Sequence, residues 1–220
     1  MFVILSSVKG GVGTSVTAAA LSLVLAKDTT NPIYLIDLGD GDQPDIVGLP
    51  AQPDGLVQWL ASPDRRLTDL AVDVIGSLRL IPRGEGSLPV DRSWMAKLAL
   101  ALDELRSDAH VIIDAGMLDT TVHLDPLADR RLMVMRPCYV GLRRVVSAPA
   151  NWDGMILVRP PDRVLTTRDV MSVCDIPLAA EVIMTPDVSR VVDAGVLRSR
   201  VPHGLARALR PILTDHFTNE

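Results

Sequence analysis

Val8-Lys9-Gly10-Gly11-Val12-Gly13-Thr14-Ser15 is the stretch that decides the fold, because of what flanks it. Phe2 to Ser7 is short and mostly apolar, as a buried strand is, and Ser15 to Ala26 (SVTAAALSLVLA) is alanine-rich and of helical length. Glycines between a strand and a helix aim several backbone N–H groups at one spot, and the helix N-terminus adds roughly half a positive charge. Phosphate is the natural guest of such a loop. A tight glycine turn without a ligand is the plain alternative, and the order strand, loop, helix argues against it. Thr14 stands where a phosphate loop normally carries a lysine.

Outward from the loop the pattern repeats. Ile33 to Leu38 (IYLIDL) reads as a second buried strand, ending among Asp37, Asp40, Asp42 and Asp45. Short helices are expected around Gly55–Ala61 and Arg65–Leu70, and a strand at Leu78–Pro82. Asp91 to Arg106 carries Trp94, Leu98, Ala101, Leu102 and Leu105 at helical spacing, so it reads as an amphipathic helix. His110–Asp114, Arg131–Met135, Met155–Val158 and Ala180–Ile183 are the remaining strand candidates. Helical patterns fall at Tyr139–Ala148, Thr166–Cys174 and Ser189–Arg198. This alternation predicts an α/β fold of one domain over residues 1–220, with a mostly parallel central sheet and helices on both faces, and the phosphate loop between its first strand and helix makes it P-loop NTPase-like.

Composition narrows the classes. The 220 residues suffice for one core without disulfide help, and Cys138 and Cys174 lie far apart, which suggests a reduced, cytoplasmic setting. No signal peptide is expected, and no apolar run reaches the roughly 20 residues that span a bilayer. The net charge of −5 conceals an uneven distribution, since basic and acidic residues balance over 111–220 while acidic residues dominate 1–110. Only three lysines occur, so Lys9 inside the loop is conspicuous.

In parallel α/β sheets ligands sit at the carboxyl ends of the strands. Asp37 and Asp114 each end an apolar strand, on the edge where the glycine loop opens. Carboxylates there can hold Mg²⁺ directly or through water, and Ser15 can add a hydroxyl. Either aspartate alone reads equally well as a cap or turn residue; the pair beside the loop favours a nucleotide and magnesium site.

Those residues resemble a family. KGGVGTS resembles the deviant Walker A loop of the ParA/MinD group of positioning ATPases, YLIDL their second acidic motif, and HVIIDAG their Walker B strand. ADRRLMVMRPCYVGLRRV is similar to the strand and helix after their switch region, so the resemblance covers nearly the whole chain. The KGGVG loop followed by Thr is similar to the CpaE/TadZ branch, which places pilus and secretion machinery. The resemblance implies ATP and Mg²⁺ as cofactors, with Lys9, Gly10, Gly11, Val12, Gly13, Thr14, Ser15 and Asp114 around the nucleotide. It implies metal contacts from Ser15, Asp37 and Asp114, and catalytic roles for Lys9, Asp37 and Asp40. It also implies a homodimer formed on ATP, with Lys9 reaching the partner's phosphates.

Three departures bear on turnover. Thr14 cannot supply the cation of the second loop lysine, and one preorganised charge at a phosphoryl site is worth several kcal/mol (~3) of transition-state stabilisation. The family's Asp-x-Asp reads Asp37, Leu38, Gly39 with Asp40 next, so the water-positioning carboxylate is either shifted by one residue or absent. The switch reads Asp114, Ala115, Gly116, and the late strand ends Val158, Arg159, Pro160 where relatives often place an asparagine near adenine. At most a slow Mg-dependent ATPase is expected.

Candidate holding surfaces lie in the second half. Arg130, Arg131, Arg143, Arg144, Arg198, Arg200, Arg207 and Arg210 are candidates for nonspecific DNA, against the alternative that they are solvated or paired with aspartates. With three Trp, two Tyr and two Phe, base stacking is not expected. Residues 203–217 form a C-terminal amphipathic pattern with Leu205, Leu209, Ile212, Leu213 and Phe217 near one face, interrupted by Pro211. That face suits a membrane interface, a partner protein, or packing on the domain itself. Association with nucleoid or inner membrane follows from these surfaces. Two readings result: a nucleotide-gated positioning protein with weak or conditional hydrolysis, or a pseudo-ATPase scaffold or polar landmark without turnover. A metabolic ligase on the same fold fits less well, since no Cys-His constellation is visible.

Overall fold

Alternate residues of the first strand divide between two cores, and this sets the layers. In β1 (Phe2–Ser6), Val3 and Leu5 join one apolar cluster and Phe2 and Ile4 another. A strand buried on both faces belongs in the middle of a parallel sheet. The computed structural model describes residues 1–62, 64–117, 123–148 and 152–217, with only the backbone of 215–217. It places β1 between β5 (His110–Gly116) and β6 (Arg130–Met135), parallel to both.

β2 (Ile33–Asp37) pairs with β5, and β4 (Leu78–Ile81) pairs with β2, again in parallel. β3 (Val72–Ile75) closes that edge antiparallel to β4, while β7 (Gly154–Arg159) and β8 (Leu178–Ile183) extend the other side beyond β6. The strand order is β3-β4-β2-β5-β1-β6-β7-β8. One face carries α1 (Thr14–Leu25), α2 (Gln43–Val47), α7 (Pro186–Asp193) and α8 (His203–Phe217). The other carries α3 (Leu56–Leu60), a 3₁₀ turn at Leu67–Leu70 and α4 (Trp94–Leu105). α5 (Tyr139–Ser147) and α6 (Thr167–Met171) cover Met133, Met135, Met155 and Leu157. The α/β fold with a mostly parallel sheet and helices on both faces is therefore as expected.

Several elements differ from the sequence reading. β3 was not expected: only Val74 of its four residues is buried, so it lacks a clear alternation and forms by pairing at the sheet edge. The helix expected at Ser189–Arg198 runs instead from Pro186 to Asp193, because a proline at the first helical position presets φ and Gly195, at φ +62°, ends the turn.

Pro211 does not interrupt α8, which continues to Phe217. Leu205, Leu209, Ile212 and Leu213 are at most 2% exposed and pack in the α1 and β8 layer. Burying four aliphatic side chains, worth roughly 1.5–3 kcal/mol each, outweighs the roughly 3 kcal/mol that an internal proline costs. This is the packing alternative for 203–217: among the residues whose side chains are described, the apolar face is core. The side chain of Phe217 lies outside the described residues. Among the described residues no helix is long and apolar enough to cross a membrane.

Candidate functional site

The loop after β1 is built by backbone geometry. Ser7 N–H and Oγ–H both donate to Gly116 O, at 2.7 and 3.1 Å, which ties the loop to the end of β5. Gly13 takes φ +99° at the N-cap of α1, a left-handed conformation that a side chain would strain. No side chain caps this helix, so the first-turn N–H groups keep their bonding capacity for a guest. Thr17 Oγ–H donates back to Gly13 O at 2.8 Å and fixes the turn from behind.

A cavity of about 260 Å³ opens over these groups, lined by Ser7, Gly10, Gly11, Gly13, Thr14, Ser15, Val16, Asp40, Asp42, Ile46, Gly116, Met117 and Arg136. Loop residues Gly10, Gly11, Gly13, Thr14 and Ser15 are thus brought to one hollow, as the sequence suggested. Val12 is only 4% exposed and its side chain joins the core, so it offers the site its backbone alone. Lys9 is half-buried outside that lining, with Nζ donating to Gly10 O at 3.4 Å. Thr14 is buried in the wall where the resemblance places a lysine.

Asp37 and Asp114 lie beneath the cavity and do not line it. Both are fully buried, opposite one another in β2 and β5. Asp37 accepts from Gly39 N–H at 3.1 Å and Gln43 N–H at 3.2 Å. Burial first, and then the charge of Asp114, push its carboxyl up to about 7, against the opposing pull of N–H groups of Gln43, Gly39 and Gly41. Burial also raises Asp114, offset by hydrogen bonds from Gln43, Ser15 and Gly116. The carboxylates that reach the cavity are Asp40 and Asp42.

Two residues were missed by the sequence reading. Gln43, fully buried at the start of α2, donates through Nε2 to Ser15 O at 3.0 Å and to Asp114 Oδ2 at 2.9 Å, joining the loop to β5. A polar residue inside the acidic cluster, between Asp42 and Asp45, was its only signal. Arg136, directly after β6, enters the same cavity, and the rule of strand carboxyl ends would have pointed to it. Arg159 turns away from the cavity, its Nε 3.0 Å from Glu181.

The chemistry of the donor set fits Mg²⁺. A hydroxyl at Ser15, bonded to the Asp114 carboxylate, and the cavity carboxylates Asp40 and Asp42 are hard oxygen donors. Among the described residues no group of three or more acidic, histidine or cysteine side chains converges to hold a metal alone. An ion here would therefore take part of its coordination from a phosphate ligand, as Mg²⁺ commonly does.

The candidate DNA arginines separate into distinct groups. Arg131 pairs with Asp153 and Asp125, Arg200 with Asp187, and Arg210 with Asp28. Arg130 donates to Ile212 O and Arg144 to Val8 O. Arg143, Arg198 and Arg207 are exposed and form no ion pair among the described residues. Neither cysteine is in a disulfide.

No protein-family model matches this chain, and no curated protein sequence matches it. Solved structures do match across its whole length. MinD from Pyrococcus horikoshii, complexed with Mg-ADP, superposes with a TM-score of 0.77 at 19% identity, covering 100% of this chain and 98% of that one. A ParA family ATPase from Chlorobium tepidum gives 0.74 at 17% identity, covering 100% and 99%. A single-substitution variant of Cyanothece McdA in complex with ATP gives 0.75 at 14% identity, covering 100% and 96%. The fold is that of the MinD and ParA ATPases, which is the fold of P-loop NTPases.

Proposed function

We propose that this chain is a ParA/MinD-like protein that binds ATP with Mg²⁺, pairs with a second copy of itself on doing so, and positions a cellular cargo with weak or conditional hydrolysis. The observation that carries this reading is the cavity itself. Left-handed Gly13, the uncapped start of α1 and Ser15 anchored to Asp114 converge on one hollow of about 260 Å³. Structures of the same fold hold Mg-ADP and ATP, which supports the same ligand class here.

Each residue has a task in this reading. N–H groups of Gly10 to Ser15 orient phosphate oxygens, and Ser15 holds the metal, whose charge would offset that of the phosphates. Asp114 fixes the Ser15 hydroxyl, Gln43 holds Asp114 against the loop, and Asp37 caps the turn that presents Asp40. Asp40 is the carboxylate at hand to orient water. Lys9, outside its own cavity, is free to meet a partner's phosphates. Thr14 removes a charge that speeds transfer and leaves the groups that grip, which is the physical case for slow turnover.

The cargo is one of the family's classes: pilus or secretion machinery, DNA, or the division septum. The Gly-Val-Gly-Thr loop supports the CpaE/TadZ branch. If nucleoid DNA is the holding surface, Arg143, Arg198 and Arg207 are the arginines left to contact it. The second reading, a scaffold without turnover, rests on Thr14. Mass in solution with ATP, ADP or no nucleotide, each with Mg²⁺, measured beside phosphate release, tests both. An ATP-specific dimer with slow release is expected; a mass indifferent to nucleotide with no detectable binding overturns the first reading and leaves the scaffold.

A further inference from the structure

Arg136 is the one basic side chain among those lining the loop cavity, which otherwise presents glycines, hydroxyls, apolar groups and the carboxylates Asp40 and Asp42. It follows β6, and β6 pairs with β1 in parallel, so the chain leaves β6 beside the loop that leaves β1. Arg136 also lines an adjoining hollow of about 510 Å³ with Pro160, Pro161, Met184, Thr185 and Pro186, and so stands between the two.

Its bonding state separates it from the other arginines of this region. Nε is buried and has no hydrogen-bond partner. No ion pair is formed by its guanidinium among the described residues, whereas Arg131 and Arg159 on neighbouring strands are each held by a carboxylate. A buried, unsatisfied N–H on a cation is costly unless a ligand completes it. The guanidinium is a planar fork of five donors that matches phosphate oxygens and does not lose its proton. In the lining of the same cavity, Thr14 brings no charge.

We propose that Arg136 is the in-subunit cation for the phosphates of the bound nucleotide, taking over the charge that Thr14 does not provide. The inference rests on the nucleotide-binding reading above and adds to it a residue outside the glycine loop. Without Arg136 the charged side chains of the cavity are two carboxylates facing a polyanion, and a metal ion alone has to overcome that repulsion. With it, one fixed positive charge meets the phosphates from β6, and affinity depends on how many phosphates the ligand carries.

The test is equilibrium binding of ATP, ADP and adenosine, with Mg²⁺, to the full chain and to R136A, R136Q, T14K and the double variant T14K/R136A. R106A, exposed at the end of α4 and away from the cavity, is the surface control, and circular dichroism and melting confirm folding of each. For a charge-assisted contact the expected loss of ATP affinity in R136A is roughly 10- to 100-fold. The loss is smaller for ADP and absent for adenosine, and T14K restores ATP binding in R136A. If R136A is unfolded, R136Q carries the same expectation with less change of volume. ATP binding by R136A or R136Q within twofold of the unaltered chain overturns the proposal and leaves nucleotide binding intact, as does an equal loss for ATP and adenosine. Absence of any nucleotide binding by the unaltered chain overturns both.

Discussion

Asp37 and Asp114 face each other across adjacent parallel strands, both fully buried, with the side-chain amide of Gln43 bonded to Asp114 and its backbone N–H to Asp37. Two carboxyls so close and so dry cannot both ionise without cost. Hydrogen bonds from the Gly39 and Gln43 N–H groups to Asp37, and from Gln43, Ser15 and Gly116 to Asp114, partly offset their burial.

The pair makes stability depend on pH. Asp37 titrates near 7 in the folded chain and at 3.8 as its ordinary value, so between these values the native state holds a proton that the unfolded state has released. Stability is then highest at the acidic end and falls as pH rises through about 7, by up to roughly 1.4 kcal/mol per unit. Asp114, also raised by burial, acts in the same direction. Melting without metal or nucleotide from pH 5 to 8 should show this decline, and D37N should flatten it. A midpoint rising over that interval in the unaltered chain contradicts the assignment.

Gln43→Leu tests the bridge between loop and β5. It removes donors to Ser15 O and Asp114 Oδ2 while keeping volume, and leaves both acceptors buried. A loss of roughly 2–4 kcal/mol is expected from denaturant unfolding, together with weaker ATP binding. Unchanged stability would mean that water replaces the amide without penalty.

Gly48 ends α2 at φ +70°, and a Cβ there would run into Gly195 O, at the end of α7. Gly48→Ala combines backbone strain with a backbone collision, so a loss of about 3 kcal/mol or more is expected. Gly204→Ala, with open space around the added methyl, is the matched control and should be nearly neutral. Comparable melting of the two variants would refute the close approach of α2 and α7.

Leu209 is fully buried in α8 between the sheet and α1. Leu209→Ala should cost roughly 2–5 kcal/mol, because the cavity is lined by a packed core. Liposome sedimentation should leave the unaltered chain in the supernatant at moderate salt, since no apolar face of this helix is free among its described side chains. Cosedimentation that is lost in Leu209→Ala without a loss of stability would return the helix to the membrane.

Thr14→Lys addresses turnover. A cation restored at the loop should raise ATP-dependent phosphate release by roughly 10-fold or more if the missing charge alone limits the rate. No increase would shift the limit to the placement of Asp40.

The local parts of this architecture were legible in the sequence. Glycine placement, the apolar strand before it and the helix after it are consequences of nearest neighbours, so loop and first strand were located within a residue or two. Asp37 and Asp114 stand out in the sequence because each ends an uninterrupted apolar run, and parallel sheets bring such ends to one edge. By contrast β3 has too little burial to show a pattern, and it exists through its pairing with β4.

What only the tertiary structure decided is which groups share the cavity and which lie behind it. Asp37 and Asp114 are buried behind the cavity while Asp40 and Asp42 line it, because the chain turns over the strand ends after Asp37. Arg136 joins Thr14 because β6 pairs with β1, a relation that no local pattern encodes. Pro211 failed to stop a helix because burial of four aliphatic residues outweighs one proline, and that balance depends on partners distant in sequence. The sequence by itself determined the loop and the alternation of elements, since those follow from backbone preference and hydrophobic period. Partnership, burial and the position of charge relative to the cavity were decided by the packing of the sheet.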